Sequence, residues 1–478
     1  MDLQIFLPFV LYFVILTGVG IYVSKFSSKG LSEYFLGGRQ LHRFVVGLSA
    51  VISGRSAWLL LGFTGMSFTM GLSAIWAVVG YIFVEFLLFR YIAPRIRKFA
   101  GKYDCITIPD FYSARFNDNS GILRIMIAII FIIFMTSYVA AQFVAGGKAL
   151  YAFFEISPVT GLLITALIVL FFTILGGFMA VMFTDVLQGI IMISALIILP
   201  AICIIYLGGW HEVYSDLSDN SNNFFNPFSL GAGTFAGFLG IGLGSAGNPN
   251  IIIRYMAIKD PKQFTWIATF GTLVNIIMAL GALFIGLVGR AYFTNVDFLP
   301  GQDAEMVYMS LSGELLDPIL VGLLLASVFA AITSTADSQL LIAASGIVRD
   351  IYQKYLHKGE KIPRKHLIFV SRVVVCILVV LAIIMGLFVK DIVFWFVLFG
   401  WAGLGSTLGP SLLLSLFWKR TTRNGIITGF ITGTVTVIVW KTVPQLSNMI
   451  YELIPGFIIA GFSIIIASIL DEKYRKCC

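Results

Sequence analysis

Few charged or hydroxyl-bearing side chains interrupt the long apolar runs of this chain, and those that do suggest cation or carboxylate chemistry. In Ala330-Ala331-Ile332-Thr333-Ser334-Thr335-Ala336-Asp337-Ser338-Gln339, a helix places Ala331, Ser334, Thr335 and Ser338 on one face by i, i+3, i+4 and i+7 spacing. Hydroxyl oxygens beside the Asp337 carboxylate make a hard oxygen face, which suits a cation such as sodium. Ser and Thr hydroxyls alone are weaker evidence, because they commonly bond back to carbonyls of their own helix. Asp337 adds weight, since a carboxylate inside a membrane is costly and as a rule lines a pathway.

The other deep charges read as follows. Asp185, in Phe183-Thr184-Asp185-Val186-Leu187-Gln188-Gly189, either caps the start of its helix or holds a cation. Glu85 and Arg90 read as partners of each other, or Arg90 snorkels to the membrane surface. Arg55 falls near the middle of a span, where a cation costs at least about 2.5–3.5 kcal/mol. It needs a partner: the anionic group of a substrate, a carboxylate such as Asp337, or carbonyls freed by a broken helix.

Such a break is present at Arg55 itself. Ser53-Gly54-Arg55-Ser56 divides one apolar run, and Gly242-Leu243-Gly244-Ser245-Ala246-Gly247-Asn248-Pro249-Asn250 divides another five spans later. Non-helical backbone at membrane depth is tolerated only where protein or a wet cavity satisfies its N–H and C=O groups. Glycines can instead serve close helix packing. Paired breaks in corresponding positions point to the midplane site of a transporter built from inverted repeats.

The elements that must position these residues are membrane spans. Hydrophobic residues make up 59% of the 478-residue chain and charged residues 12%, with a mean hydropathy of +0.95. Soluble domains average about 45–50% apolar and about 25% charged residues, so lipid is the solvent for most of this surface. Apolar runs fall near 4–24, 44–70, 72–96, 123–152, 158–180, 184–207, 231–257, 265–290, 318–347, 367–389, 392–418, 424–441 and 454–470. That predicts an all-α integral membrane protein of about thirteen spans, each needing roughly 20 apolar residues.

The net charge of +8 resides mostly in alternate loops, including Lys25, Lys29, Arg39, Arg95, Arg97, Arg254, Lys358, Lys361 and Arg420, with Lys390 among the few on the other side. This is a topology signal, not a nucleic-acid face. It puts the N-terminus outside and the C-terminus in the cytoplasm of a multi-pass plasma-membrane protein. The run Ile5 to Val23 reads as a first span and not as a cleaved leader. Cys105, Cys203, Cys376, Cys477 and Cys478 lack metal-ligand spacing, and Cys477-Cys478 reads as a solvated tail or a site of acylation. His42, His211, His357 and His366 all fall in loops or at span ends, so no nucleophile–base pairing argues for an enzyme. Nothing in the sequence sets an oligomeric state.

Several segments resemble the sodium:solute symporter family, most of all its bacterial sodium/proline branch. They are Tyr34-Phe35-Leu36-Gly37-Gly38-Arg39, Leu48-Ser49-Ala50, Trp58-Leu59-Leu60-Leu61-Gly62, Gly176-Gly177-Phe178 and Ser334-Thr335-Ala336-Asp337-Ser338-Gln339. Trp401-Ala402-Gly403, Thr422-Arg423-Asn424-Gly425 and Ile454-Pro455-Gly456-Phe457 extend the resemblance along the chain. It implies a LeuT-like fold with a 5+5 inverted repeat and flanking helices. Residues 1–478 would form a single transporter domain: 4–43, a first repeat at 44–207, a second at 231–418, then 424–478.

The resemblance also implies site residues. A main sodium site would use carbonyls of Ile52, Arg55 and Ala331 with the hydroxyls of Ser334 and Thr335. A second cation or proton site would lie at Asp185, Asp337 and Ser338. The substrate would lie near Ser56, Trp58, Tyr138, Ser245 and Pro249, beside Arg55. The family's first break resembles Ala-Ser-Asp-Met-Ser-Gly-Trp, where this chain has Ile52-Ser53-Gly54-Arg55-Ser56-Ala57-Trp58. An aspartate is lost and a guanidinium gained, and an aromatic pair in the seventh span gives way to Ile241 and Ser245. Because Arg presents a planar fork matched to carboxylates, the expected function is sodium-coupled symport of a small carboxylate or amino acid, proline included. The alternatives are sodium-independent or proton-linked transport with Arg55 replacing a cation, and a transporter-like membrane sensor.

Overall fold

The structure is a computed structural model and describes residues 2–24, 36–175, 177–220, 223–357, 362–388 and 392–477. Lys25, Lys29, Tyr34, Phe35, Gly176, Lys358, Lys361, Lys390 and Cys478 lie outside the described residues. Among the described residues all regular structure is helical, apart from a single bridge between Leu41 and Ile258.

The chain runs through α1 (Leu3–Ser24), α2 (Arg43–Ile52), α3 (Thr64–Met70), α4 (Ile75–Leu87), α5 (Ile122–Ile130) and α6 (Thr136–Phe154). It continues with α7 (Pro158–Leu175), α8 (Phe178–Tyr206), α9 (Ala232–Gly240), α10 (Pro249–Ala257) and α11 (Phe264–Phe293). The last are α12 (Pro318–Ser345), α13 (Arg364–Phe388), α14 (Val393–Phe417), α15 (Arg423–Thr442) and α16 (Leu453–Cys477). Eleven helical stretches are long and apolar enough to cross a membrane, and the shorter apolar pieces Arg43–Ile52 and Ala232–Ala246 belong to interrupted helices. Exposed Leu3, Leu7, Leu11 and Val14 on α1 are what a lipid-facing surface requires.

Both breaks have local causes. After α2 the amides of Gly54 and Arg55 bond to the carbonyls of Val51 and Ile52, three residues back, which tightens the turn. Ser56 then takes a left-handed backbone, φ 47°, and a π-turn over Trp58–Phe63 leads into α3. A serine in that region is strained; the Tyr138 hydroxyl donates to its Oγ at 3.2 Å, and so does the Trp58 amide at 3.1 Å. In the second break a 3-10 turn over Ile241–Ala246 ends at extended Asn248, and Pro249 opens α10 at its first turn. Glycine is obligatory at Gly244, where a Cβ would lie 2.0 Å from the Trp401 indole nitrogen. That indole donates to the Ile241 carbonyl at 2.8 Å, tying α14 to the break.

α12 is buried at the centre, against α1, α6, α7 and α8. α4 lies along α9, the second break and α11. Two sequence readings are corrected here. The run expected at 158–180 stops at Leu175, because Gly177 is fully extended, and α8 begins at Phe178. Asp185 therefore sits two turns inside α8 and does not cap it.

On the face holding the loop between α4 and α5, the helix Ile108–Phe116 opens with a capping box of Thr107 and Asp110. Asp110 receives Arg124 Nη1 at 2.8 Å, Arg349 Nη2 at 3.2 Å and the Lys354 ammonium. Asp350 pairs with Arg124 and accepts from Thr107 Oγ1 at 3.1 Å. Burial would push the Asp110 carboxyl up, but Arg349, Lys354 and Arg124 outweigh it and hold it well below the usual carboxylate range.

Candidate substrate and cation site

The two breaks meet. Asn250, in the first turn of α10, donates through Nδ2 to the main-chain carbonyl and the Oγ of Ser53, both at 3.0 Å. The hydroxyl face of α12 joins them, for Thr335 Oγ1 donates to the same Ser53 carbonyl at 3.2 Å and Ser53 Oγ lies 3.5 Å from the Ser334 carbonyl. Ser334 Oγ turns back to the Ala331 carbonyl at 3.1 Å. The carbonyl of Ile52 accepts from the Arg55 amide at 3.0 Å, and that of Arg55 accepts from the Leu59 amide at 3.2 Å. Ile52, Arg55, Ala331, Ser334 and Thr335 thus share one buried neighbourhood, with Ser53 as the hub. Ser53, Ala331, Ser334 and Thr335 supply only neutral oxygen donors, so this set fits sodium.

The second expected set comes together differently. The Arg254 guanidinium reaches Asp185 Oδ2 at 2.8 Å, Ser338 Oγ at 2.7 Å and Ser49 Oγ at 2.7 Å. Asp185 also accepts from Ser49. A fixed cation, the Arg254 guanidinium, therefore sits at Asp185 and Ser338, where a second cation or proton site was expected, and in this arrangement the set does not fit a metal ion. Asp337 faces elsewhere and accepts from Thr173 Oγ1 at 2.8 Å. Ser338 Oγ also bonds back to the Ser334 carbonyl at 2.9 Å, as the plainer reading of the hydroxyls expected.

Arg55 has a protein partner that the sequence did not reveal. Its guanidinium pairs with Glu85, both side chains being 1% exposed. It also stacks over the Tyr81 ring at 3.9 Å. Glu85 Oε1 accepts from Ser245 Oγ at 3.1 Å, and Oε2 accepts from Asn275 Nδ2 at 2.9 Å. The expected pairing of Glu85 with Arg90 is thereby corrected. Glu85 lies on the buried side of α4, whereas Arg90, a turn further on, is exposed and lies over the Tyr91 ring at 5.7 Å.

Beside this pair lies a small cavity of about 10 Å³, lined by Gly54, Arg55, Trp58, Tyr81, Tyr138 and Trp401 among others. That is room for about one water, far below the roughly 300–1,000 Å³ of common ligand pockets, so the space is closed in this conformation and a solute enters it only when its walls move apart. Trp58 is stacked between Phe63 and Phe394, at centroid distances of 5.8 and 5.4 Å. Three buried polar atoms on lining residues, Arg55 Nε, Trp58 Nε1 and the Tyr81 hydroxyl, have no hydrogen-bond partner in the protein. All three can donate, which is the complement of an acceptor such as a carboxylate.

Of the expected substrate residues, Arg55, Trp58 and Tyr138 line the cavity. Ser56 and Ser245 connect to it through Tyr138 and Glu85. Pro249 is buried at the start of α10 and is not among the lining residues, although both side-chain polar atoms of the preceding Asn248 lack partners. Glu85, Asn250, Arg254 and Asn275 were missed. The available signal for Arg254 was its place in Asn250-Ile251-Ile252-Ile253-Arg254, directly after a break and flanked by apolar residues.

Comparison with known proteins bears on this geometry. The model of the sodium:solute symporter family matches residues 34–433. The osmoregulated proline transporter OpuE of Bacillus subtilis is 35% identical over 480 residues, covering 100% of this chain and 96% of that protein. The sodium/proline symporter of Staphylococcus aureus (strain USA300) is 35% identical over 491 residues, covering 99% and 93%. Among solved structures, a Na+-coupled sialic acid symporter in its substrate-bound outward-open state superimposes with a TM-score of 0.82 at 19% identity, covering 98% of this chain and 96% of that one. A nucleobase-cation-symport-1 family transporter in a closed conformation with bromovinylhydantoin bound gives 0.57 at 13% identity, covering 91% and 94%.

Proposed function

This chain belongs to the sodium:solute symporter family, and from that premise we propose that it carries a small carboxylate-bearing solute inward with sodium by alternating access. The observation that carries the solute class is the set of unpartnered donors, Arg55 Nε, Trp58 Nε1 and the Tyr81 hydroxyl, on one small buried cavity. A carboxylate is the common biological group with enough lone pairs to satisfy such donors. The names of the relatives, a proline transporter and a sodium/proline symporter, support an amino acid such as proline.

Sodium coupling rests on the neutral oxygen set at Ser53, Ala331, Ser334 and Thr335. An ion held there bridges the first break and α12, so its binding fixes the wall on which Arg55 and Trp58 are mounted. The reading with Arg55 replacing a cation is less well supported, because its guanidinium is engaged by Glu85 on α4. At the second set it is Arg254 that stands in for a cation, which favours a single coupled sodium ion. The orientation follows the basic loops, with the N-terminus outside and the C-terminus cytoplasmic.

A thermal-shift screen of small carboxylates and amino acids, in sodium and in choline, tests this reading. Ligands that bind only the folded state raise its apparent stability. The reading requires stabilisation by carboxylate-bearing solutes that is greater in sodium. Stabilisation confined to solutes without a carboxylate would contradict it.

A further inference from the structure

The cavity beside Arg55 is lined by groups that give hydrogen bonds far more than by groups that take them. Arg55 Nε, Trp58 Nε1 and the Tyr81 hydroxyl are buried there without a partner, and a guanidinium or an indole can only donate. Among the described residues that line it there is no Asp, Glu, Asn or Gln side chain. Glu85 stands behind Arg55 and is not a lining residue, and its two oxygens are taken by Arg55, Ser245 and Asn275. Lining carbonyls are engaged as well: that of Ile241 accepts from the Trp401 indole at 2.8 Å, and that of Leu398 from the Tyr451 hydroxyl at 2.6 Å. The side-chain acceptors left are the uncharged phenol oxygens of Tyr81 and Tyr138.

Aromatic faces can also hold an ammonium, but here they are covered. The Arg55 guanidinium lies over Tyr81 at 3.9 Å, and Trp58 is stacked between Phe63 and Phe394 at 5.8 and 5.4 Å. The rings of Tyr138 and Trp401 sit against each other at 6.3 Å.

We infer that the transported solute is a small monocarboxylate without an amine, a short acid with an apolar body. The inference rests on the carboxylate reading above and departs from the relatives named for proline. The donors of Arg55, Trp58 and Tyr81 face the carboxylate, and Ile241, Val397 and Leu398 supply an apolar wall for its hydrocarbon part. An ammonium brought into the same space loses its water and finds no charged acceptor, which is costly.

The buried charges agree with the lining. Arg55 and Glu85 cancel, as do Arg254 and Asp185. Asp337 is turned to the other side of α12 from Thr335, where Thr173 of α7 holds it. The sodium ion held at the Ser53 set adds one positive charge two residues from Arg55, and a monocarboxylate cancels it. An amino acid carries its own ammonium and leaves the sodium charge uncancelled, in a place where protein screens poorly.

The test compares matched pairs that differ only in the amine: cyclopentanecarboxylate against proline, and propionate against alanine. Propionamide serves as the uncharged control. Binding to the purified full-length protein in sodium is measured by thermal shift and by competition. The acid of each pair is expected to bind at least about tenfold more tightly in Kd than its amino acid, and propionamide to bind more weakly than propionate. An amino acid that binds as tightly as its acid partner, or more tightly, overturns the inference while leaving carboxylate binding intact. Propionamide binding as tightly as propionate, or failure of every member of both pairs to bind, contradicts the carboxylate reading, and the inference falls with it.

Discussion

Thr335 Oγ1 donates to the main-chain carbonyl of Ser53 at 3.2 Å, across 282 residues of sequence, and so joins the hydroxyl face of α12 to the first broken helix. A cation that binds between them competes for this contact and replaces it with its own bonds to the same oxygens. Coupling between ion and solute follows from continuity of backbone, because Arg55 and Trp58 stand two and five residues beyond Ser53.

Paired replacement of Ser334 and Thr335 by Ala removes two hydroxyl oxygens from the set. The sodium concentration for half-maximal uptake is expected to rise by about tenfold or more, on the order of 1.4 kcal/mol in binding. An unshifted sodium curve places the ion elsewhere.

Arg55→Met leaves Glu85 buried without its cation and removes one donor from the cavity. Breaking a buried pair costs about 3–5 kcal/mol, so the variant is expected to be less stable and to lose solute binding. Adding Glu85→Gln restores much of the stability without restoring carboxylate affinity. Full affinity in that double variant would remove Arg55 from the solute site.

Arg254 cross-links α10 to Asp185 of α8, Ser338 of α12 and Ser49 of α2, with Arg254 and Asp185 both 0% exposed. Arg254→Gln is expected to destabilise the protein by about 3–5 kcal/mol. Asp185→Asn in the same chain should recover a large part of that loss, which a double-mutant cycle on thermal unfolding reads directly. Additive losses would show that the pair is not coupled.

Asp110 anchors the cluster of Arg124, Arg349 and Lys354. Its folded pKa is held down, so its contribution is present above the unfolded value of about 3.9 and is lost as pH falls below it. At neutral pH Asp110→Asn is expected to lower stability by about 3–5 kcal/mol. The difference from wild type narrows as the buffer is taken below about pH 4, where Asp110 itself protonates. A gap that persists undiminished in acid would contradict this assignment.

The spans were legible because lipid demands long apolar runs, and the breaks because Gly54, Gly242 and Gly244 stand out in them. The hydroxyl face of α12 was legible from helical spacing alone. The partners of the deep charges were not. Glu85 and Arg55 are 30 residues apart and Arg254 and Asp185 are 69 apart, and no local pattern says which cation meets which carboxylate. Arg254 was hidden for a further reason, since a basic residue near a span end reads as a topology signal until the helix is seen to bury it. The cap alternative for Asp185 fails because α8 begins at Phe178, directly after the extended Gly177, and not near residue 184 where the apolar run starts.

The central claim is that one buried cavity takes a carboxylate-bearing solute and that sodium drives its entry. It is tested most directly by uptake of radiolabelled proline and small carboxylates into proteoliposomes, with and without an inward sodium gradient. The account predicts accumulation of a carboxylate-bearing solute above its external concentration only when the gradient is present, abolished by Arg55→Met. Equal uptake with choline in place of sodium, or transport undiminished in Arg55→Met, would contradict it.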